Sequence, residues 1–258
     1  MTTKTKSRKA KIVEIARERN VVTVDGLSQV LDVSPQTVRR YLNGLCAENI
    51  LRRRHGGAEL FEGPLNQPYG QRSVTNPQEK KAIGIAAANL IPDGATVFLS
   101  IGTTPETVAQ ALSEKKGLTI VTNNLNAAMA LSREETNRII LPGGELRLPD
   151  KDIIGDEALA LFSNYRAEFG VFGVGGVDQD GCLLDFHSSE VRIREKIRAN
   201  SRVSLLVLDS TKFGRAAPAV GGNIADVDKV IMDQPPGAEY AHLLERIGDR
   251  IHLVEGGT

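Results

Sequence analysis

A mainly helical head followed by a larger α/β body is the fold class this sequence predicts, and three observations predict it. The first is periodicity. Within the opening 60 residues apolar side chains recur at helical spacing, whereas from Gln78 onward short apolar runs alternate with helical stretches. The second is charge. From Met1 to Leu60, 12 Lys and Arg stand against 6 Asp and Glu, and the rest of the chain carries 20 against 26, so a net charge of zero hides a basic head on an acidic body. The third is punctuation. Gly63, Pro64, Pro68, Gly70 and Pro77 fall in a stretch with little apolar periodicity, which marks a connection. The expected domains are 1–58 and 78–258, with a linker at 59–77; 258 residues suffice for one small core and one larger one.

Composition excludes several classes. Hydrophobic residues make up 41% and charged residues 25%, as in soluble globular proteins. No apolar run approaches the ~18 residues that span a membrane. The basic stretch Met1 to Lys11 is not followed by the apolar segment of a secretory signal. Cys46 and Cys182 stand far apart and in no metal-ligand spacing, so a cytoplasmic protein with two reduced thiols and neither metal nor cofactor is expected.

In the head, Ile12, Ile15 and Ala16 share one face of a helix from about Ser7 to Arg19, which Asn20 and Val21 break. Thr23 suits the N-cap of a second, short helix with Val24, Leu27, Val30 and Leu31 turned inward. Asp32-Val33 supplies a tight turn. Ser34 then caps a third helix, with Pro35 at the first helical position, where its missing N–H costs nothing. Val38, Leu42 and Leu45 form the buried stripe, leaving Gln36, Thr37, Arg39, Arg40 and Tyr41 outward. Gly44 costs this helix roughly 1 kcal/mol relative to alanine.

Two short helices joined by a tight turn make a helix-turn-helix, whose second helix enters the major groove of double-stranded DNA. Gln and Arg pair bidentately with base edges, and the Ser34 and Thr37 hydroxyls can reach phosphates. An isolated Arg-Arg pair more often merely solvates a helix. In a capped third helix of a basic head the DNA reading outweighs it. Ile50 and Leu51 can pack on the helices while Arg52, Arg53, Arg54 and His55 project, and Gly56-Gly57 supplies a turn tolerant of positive φ. That is the β-wing of a winged helix-turn-helix, with Arg52 to Arg54 on phosphates or in a minor groove.

In the body, a helix from Gln78 to Leu90 ends at Pro92-Asp93-Gly94. Strands follow at Ala95–Leu99, Leu118–Val121, Arg138–Leu141, Phe169–Val174, Val203–Leu208, Lys229–Met232 and near Ile251. Helices at Pro105–Leu112 and Leu125–Leu131 intervene, so the sheet is expected to be mostly parallel with helices on both faces. Ligands of such sheets bind beyond the carboxyl ends of the strands. There lie Ser100-Ile101-Gly102-Thr103-Thr104 opening a helix, Thr122-Asn123-Asn124, Pro142-Gly143-Gly144-Glu145, Gly175-Gly176-Val177-Asp178 and Asp209-Ser210-Thr211-Lys212-Phe213-Gly214. Glycine admits a close ligand, helix N–H groups and hydroxyls donate, and Lys212 adds charge, a combination that suits a phosphate. One such loop is usually only a turn; five in succession favour a binding site. Lys212 could instead be a solvated surface lysine, Asp178 could close its own turn, and Glu190 could bind hydroxyls or pair with Arg192 or Lys196.

The run Ser34-Pro35-Gln36-Thr37-Val38-Arg39-Arg40, with Leu42, Leu45 and Arg54-His55-Gly56-Gly57-Ala58, resembles the DNA-binding signature of the DeoR family of bacterial repressors. Tyr41 departs from it, standing where the family usually has Asp, and bears on operator preference. The strand-end loops resemble the family's effector domain, which is related to ribose 5-phosphate isomerase. Gly102-Thr103-Thr104 resembles the isomerase phosphate loop, and Glu195-Lys196 and Asp209 to Lys212 resemble its later motifs. The similarity runs from about Ser7 to Met232. It implies a homo-oligomeric repressor, dimer or tetramer, of a carbon-catabolism operon, released from its operator by a phosphorylated small metabolite. The segments Ile101–Glu106, Val121–Asn126, Gly143–Arg147 and Lys212–Arg215 carry the further implication that this effector is glycerol 3-phosphate. The stretch Asp185 to Ser189 departs from that pattern. The implied effector contacts are Ser100, Gly102, Thr103, Thr104, Asn123, Asn124, Gly143, Gly144, Asp178, Glu190 and Lys212.

The rival reading is a phosphosugar isomerase with a DNA-binding head. Isomerisation needs a general base and a group that stabilises an enediolate. The isomerases place a lysine ahead of their helix. Leu183 to Glu190 has none, although Asp178, Asp185 and Glu190 remain as carboxylates. A nucleic-acid-binding protein that senses nothing is disfavoured by the strand-end loops.

Overall fold

The computed structural model describes residues 8–9, 11–16, 21–47, 51–54, 56–60, 68–148 and 150–254, which fall into two units divided between Asn66 and Gln67. None of the described helices is long and apolar enough to cross a membrane.

In the first unit, helix α1 (residues 11–16) buries Ile12 and Ala16. Strand β1 (Val21–Thr23) leads straight into α2 (Val24–Leu31), capped as the sequence predicts: the Thr23 hydroxyl accepts from the Gly26 N–H at 3.1 Å. Val24, Leu27 and Leu31 face the core, but Val30 is 47% exposed, because it falls off the stripe that those three define. Asp32 takes the left-handed conformation (φ 49°) and ends the helix. In α3 (Pro35–Ala47) the Ser34 hydroxyl accepts from the Thr37 N–H at 3.3 Å. Strands β2 (Leu51–Arg54) and β3 (Gly57–Leu60) form the wing, and β1 pairs with the free edge of β3. Only Gly56 uses positive φ (75°); Gly57 is in the strand, where a Cβ would lie 2.0 Å from the Val22 carbonyl oxygen. β1 escaped the sequence reading because three residues are too few to show alternation.

The second unit begins with α4 (Tyr69–Ser73) and α5 (Pro77–Asn89). The segment expected as a linker at 59–77 is therefore partly structured: it includes the end of β3, all of α4 and the first residue of α5. The βα repeat follows as β4 (Thr96–Leu99), α6 (Thr103–Ala111), β5 (Thr119–Thr122), α7 (Leu125–Leu131) and β6 (Arg138–Ile140). A hairpin of β7 (Glu145–Arg147) and β8 (Asp152–Ile154) comes next, then α8 (Asp156–Asn164), β9 (Ala167–Phe172), β10 (Gly176–Val177), β11 (Cys182–Asp185) and α9 (Ser188–Ala199). β12 (Ser201–Val207), β13 (Ala219–Asn223), β14 (Lys229–Met232), α10 (Ala241–Ile247) and β15 (Ile251–Leu253) complete it.

Seven strands form one parallel sheet in the order β15-β14-β12-β9-β4-β5-β6. Alternation builds both cores. Val97, Leu99, Ile120, Leu205 and Val207 face one helical layer, and Phe98, Val121, Phe172 and Leu206 face the other. β10, β11 and β13 make a small antiparallel sheet of their own. It and the β7–β8 hairpin were not foreseen, since their two- to five-residue strands carry almost no periodicity.

α9 also buries Arg194, which is 2% exposed. Its guanidinium donates to Asp185 at 2.9 Å and to the Gly221 carbonyl at 2.7 Å, and the other Asp185 oxygen accepts the Gly175 N–H at 3.0 Å. Burial pushes the Asp185 carboxyl up from 3.8 to about 6, with Arg194 opposing. A folded value above the unfolded one means that this group's stabilisation is complete below pH 3.8 and is lost as pH rises through about 6. Arg194→Ala leaves the carboxylate unpaired, and about 3–5 kcal/mol of stability should go at neutral pH. Denaturant unfolding at pH 7.5 and 5 checks this: the loss should shrink at pH 5, where Asp185 takes up a proton.

A DNA-reading helix and a cationic strand-end site

On α3, Ser34, Gln36, Thr37, Arg39, Arg40 and Asn43 line one shallow groove on the outer surface of the head. Two of these serve the fold as well, since Ser34 caps the helix and its hydroxyl lies 3.0 Å from that of Thr37. Gln36, Arg39 and Arg40 are exposed, and the Arg40 guanidinium also lies over the Tyr41 ring, 5.7 Å from its centroid. Arg53, on the wing, donates to the Asn43 side chain and to the Arg39 carbonyl at 3.5 Å, so wing and helix present a joint cationic surface. Asn43 was missed from sequence because it lies one turn beyond the motif.

Tyr41 corrects the sequence reading. It is 4% exposed and packs with Val38, Leu42 and Leu45 in the core of the head. Spacing accounts for this: positions 38, 41, 42 and 45 form one helical stripe, and the aromatic body of tyrosine fills it. Its phenol sits below the usual value chiefly through a hydrogen bond with Arg8 of the first helical segment. A Cβ at Gly44 would meet the Lys9 ammonium at 2.7 Å, the mobile end of a flexible side chain, so packing does not demand glycine there. Arg54 is exposed; His55 and the Arg52 side chain lie outside the described residues.

In the second unit the ends of β12, β9, β4 and β5 are neighbours, and their loops converge. Ser100, Thr103 and Thr104 are each under a tenth exposed. Gly102 adopts φ 119°, which a side chain would strain, and so aims the first turn of α6. The first intrahelical bond runs from Glu106 N–H to Gly102 O, leaving the Thr103 and Thr104 amides without helical acceptors. At the end of β12, Asp209 is 1% exposed and accepts from Thr211 and from Asn76 at 3.4 Å. Around it gather Lys212, Lys80, Arg72 and Arg215. Burial first, then the charges of Arg215, Lys80 and Arg72, pushes Lys212 down to about 8, with Asp209 opposing. The same mutual repulsion, after burial, holds Lys80 and Arg215 low. These cations act on one another and on Asp209, with Arg72 paired to Asp150 as well, so the local positive charge favours an added anion.

Arg72, Lys80 and Arg215 were not among the expected contacts. Lys80 carried a legible signal: it is in phase with Ile83, Gly84, Ala87 and Ala88 on the buried stripe of α5, and a lysine on an apolar stripe needs a purpose. Arg72 lay hidden in the supposed linker.

Other expected residues have structural duties. Asn124 caps α7, accepting from Ala127 N–H at 3.2 Å, and donates to the Ser100 carbonyl at 3.3 Å, so its amide ties the β4 and β5 loops together. Asn123 donates to Ile153 O at 3.1 Å, while its own Oδ1 is buried with no partner among the described residues. Gly143 and Gly144 begin the β7–β8 hairpin, Gly144 at φ 124°. Asp178 closes its own turn, accepting from Asp180 N–H at 3.1 Å and Cys182 N–H at 2.7 Å. Glu190 pairs with neither Arg192 nor Lys196 but with Arg147 at 2.8 Å, which also grips Asp152 at 2.7 Å. The three carboxylates that a proton-transfer mechanism could have used, Asp178, Asp185 and Glu190, are thus each committed to a turn or an ion pair.

Comparison with known proteins agrees with both units. A model of the DeoR-like helix-turn-helix domain matches residues 8–63, and one of the DeoR C-terminal sensor domain matches 75–234. The glycerol-3-phosphate regulon repressor of Escherichia coli is 45% identical over 90% of this chain and 92% of its own, and that of Haemophilus influenzae is 40% identical over 93% of each. Among solved structures, ribose 5-phosphate isomerase A from Neisseria gonorrhoeae covers 54% of this chain and 55% of its own at 15% identity, with a TM-score of 0.37. With both domain models in their proper order and relatives that are repressors along nearly their whole length, the chain belongs to the DeoR family of DNA-binding transcriptional repressors and is a regulator rather than an enzyme.

Proposed function

We propose that this repressor, acting as a homo-dimer or tetramer in the cytoplasm, is released from the operator of a carbon-catabolism operon by a phosphorylated small metabolite, glycerol 3-phosphate. The shared electrostatic environment of Lys212, Lys80, Arg72, Arg215 and Asp209, together with the amides at the start of α6 that have no helical acceptor, carries this reading. The phosphate sits on Gly102, Thr103 and Thr104 and against Lys212, where charge-assisted hydrogen bonds are strongest. The Asn123 oxygen, buried with no partner among the described residues, supports a role as acceptor for an effector hydroxyl. The names of the 45% and 40% identical relatives supply the choice of glycerol 3-phosphate. Two copies of α3 on a twofold axis read successive major grooves, and effector and operator oppose each other reciprocally.

A thermal-shift series on the purified chain tests the effector. Saturating glycerol 3-phosphate should raise the melting temperature, by the equivalent of about 2.7 kcal/mol at a hundredfold excess over Kd. A rise with other sugar phosphates and none with glycerol 3-phosphate would reassign the ligand.

A further inference from the structure

α4 is the first described element after the last strand of the head, and among the described residues none of its side chains belongs to either apolar core cluster of the second unit. Tyr69 is buried, at 9% exposure, and polar bonds fix the element around it. The Tyr69 hydroxyl donates to Glu106, at the start of α6, and accepts from Asn126, on α7, at 2.8 Å. The Arg72 guanidinium lies over the Tyr69 ring, 5.4 Å from its centroid, and pairs with Asp150 in the turn of the β7–β8 hairpin. The Arg72 carbonyl accepts from the buried Lys80 ammonium. Asp150 is shared, since Arg147 approaches it at 3.5 Å while holding Asp152 and Glu190. Arg72 and Lys80 are thus used twice, once to fasten α4 and once in the cation cluster around Asp209.

We propose that α4 is a clasp on the anion site: a bound anion competes with Asp150 for Arg72 and with the Arg72 carbonyl for Lys80, and the shift of α4 passes occupancy to the chain that leads to the head. The clasp rests on the effector site proposed above and adds the route by which that site acts. An apolar attachment would ignore an arriving charge. Each attachment is charge-assisted and worth about 10- to 150-fold, and an anion that offers Arg72 and Lys80 bonds of the same kind competes on equal terms.

Hydrogen exchange on the full chain tests it, with inorganic phosphate and glycerol 3-phosphate as probes. Either anion at saturation should change exchange at the amides of residues 69–75 at least fivefold. Asp150→Asn should produce the same change with no anion present, and should bind glycerol 3-phosphate several-fold more tightly. Tyr69→Phe, which keeps the ring but loses both hydroxyl bonds, should reduce the factor by which effector weakens operator binding. Unaltered exchange at 69–75 in Asp150→Asn overturns the clasp even if the effector binds normally. If inorganic phosphate and Asp150→Asn both change exchange at 69–75 while glycerol 3-phosphate does not bind, the clasp stands and the effector assignment is what fails; an anion that binds and leaves exchange at 69–75 unaltered overturns the clasp.

Discussion

Replacing Lys212 with alanine should leave the operator occupied at effector concentrations that clear it from the unaltered chain. The lysine is half-buried and pushed down to about 8, so the site holds its charge at a cost that an incoming phosphate relieves. Losing a charge-assisted hydrogen bond of this kind costs about 1.5–3 kcal/mol, or roughly 10- to 150-fold in effector affinity. Operator affinity without effector should be unchanged. The pH dependence gives a second check. Below about 8 the ammonium is charged; above it the proton leaves and a phosphate dianion loses a partner, so effector affinity should fall between pH 7 and 9. Lys212→Arg keeps its charge throughout and should flatten that fall. Calorimetric titration at the two pH values measures both. Equal affinity in Lys212→Ala and the unaltered chain would remove this lysine from the site.

Replacing Arg39 and Arg40 together with alanine should abolish specific operator binding and leave effector affinity intact. Both are exposed in the α3 groove, and Arg40 also lies over the ring of the core residue Tyr41, so the double variant should fold with a slightly lowered melting temperature and Arg39→Ala alone with an unaltered one. A bidentate arginine contributes about 1–3 kcal/mol of discrimination, so two lost together weaken the specific complex by roughly 30-fold to more than 10⁴-fold. Fluorescence anisotropy with operator and scrambled duplexes across a salt series separates the possible roles. A base-reading arginine relaxes specificity at one position, whereas a phosphate-binding one lowers affinity on both duplexes and reduces the salt slope by about 1. Tyr41→Phe should leave DNA affinity nearly unchanged, because its ring is core and not interface.

Local rules carried the head and the main sheet. Caps at Thr23 and Ser34, the stripe through Val38, Leu42 and Leu45, and the βα alternation after Gln78 were legible because each depends on a few residues adjacent in sequence or one helical turn apart. So were the strand-end loops, since helix N-termini and glycine turns are themselves local signals. What a side chain does with its polar end was not legible. Tyr41 turned inward because a particular helix offered it a space and an arginine, and Asn124, Asp178 and Glu190 were taken by partners that only the tertiary fold supplies. Arg72, Lys80, Lys212 and Arg215 span 143 positions in sequence yet share one electrostatic environment. Residue order alone announces a DNA-reading helix and glycine- and hydroxyl-rich loops at the strand ends of a parallel sheet. Which charges meet is settled by the fold, because Coulomb and hydrogen-bond energies depend on distance in space and desolvation, neither of which sequence spacing records.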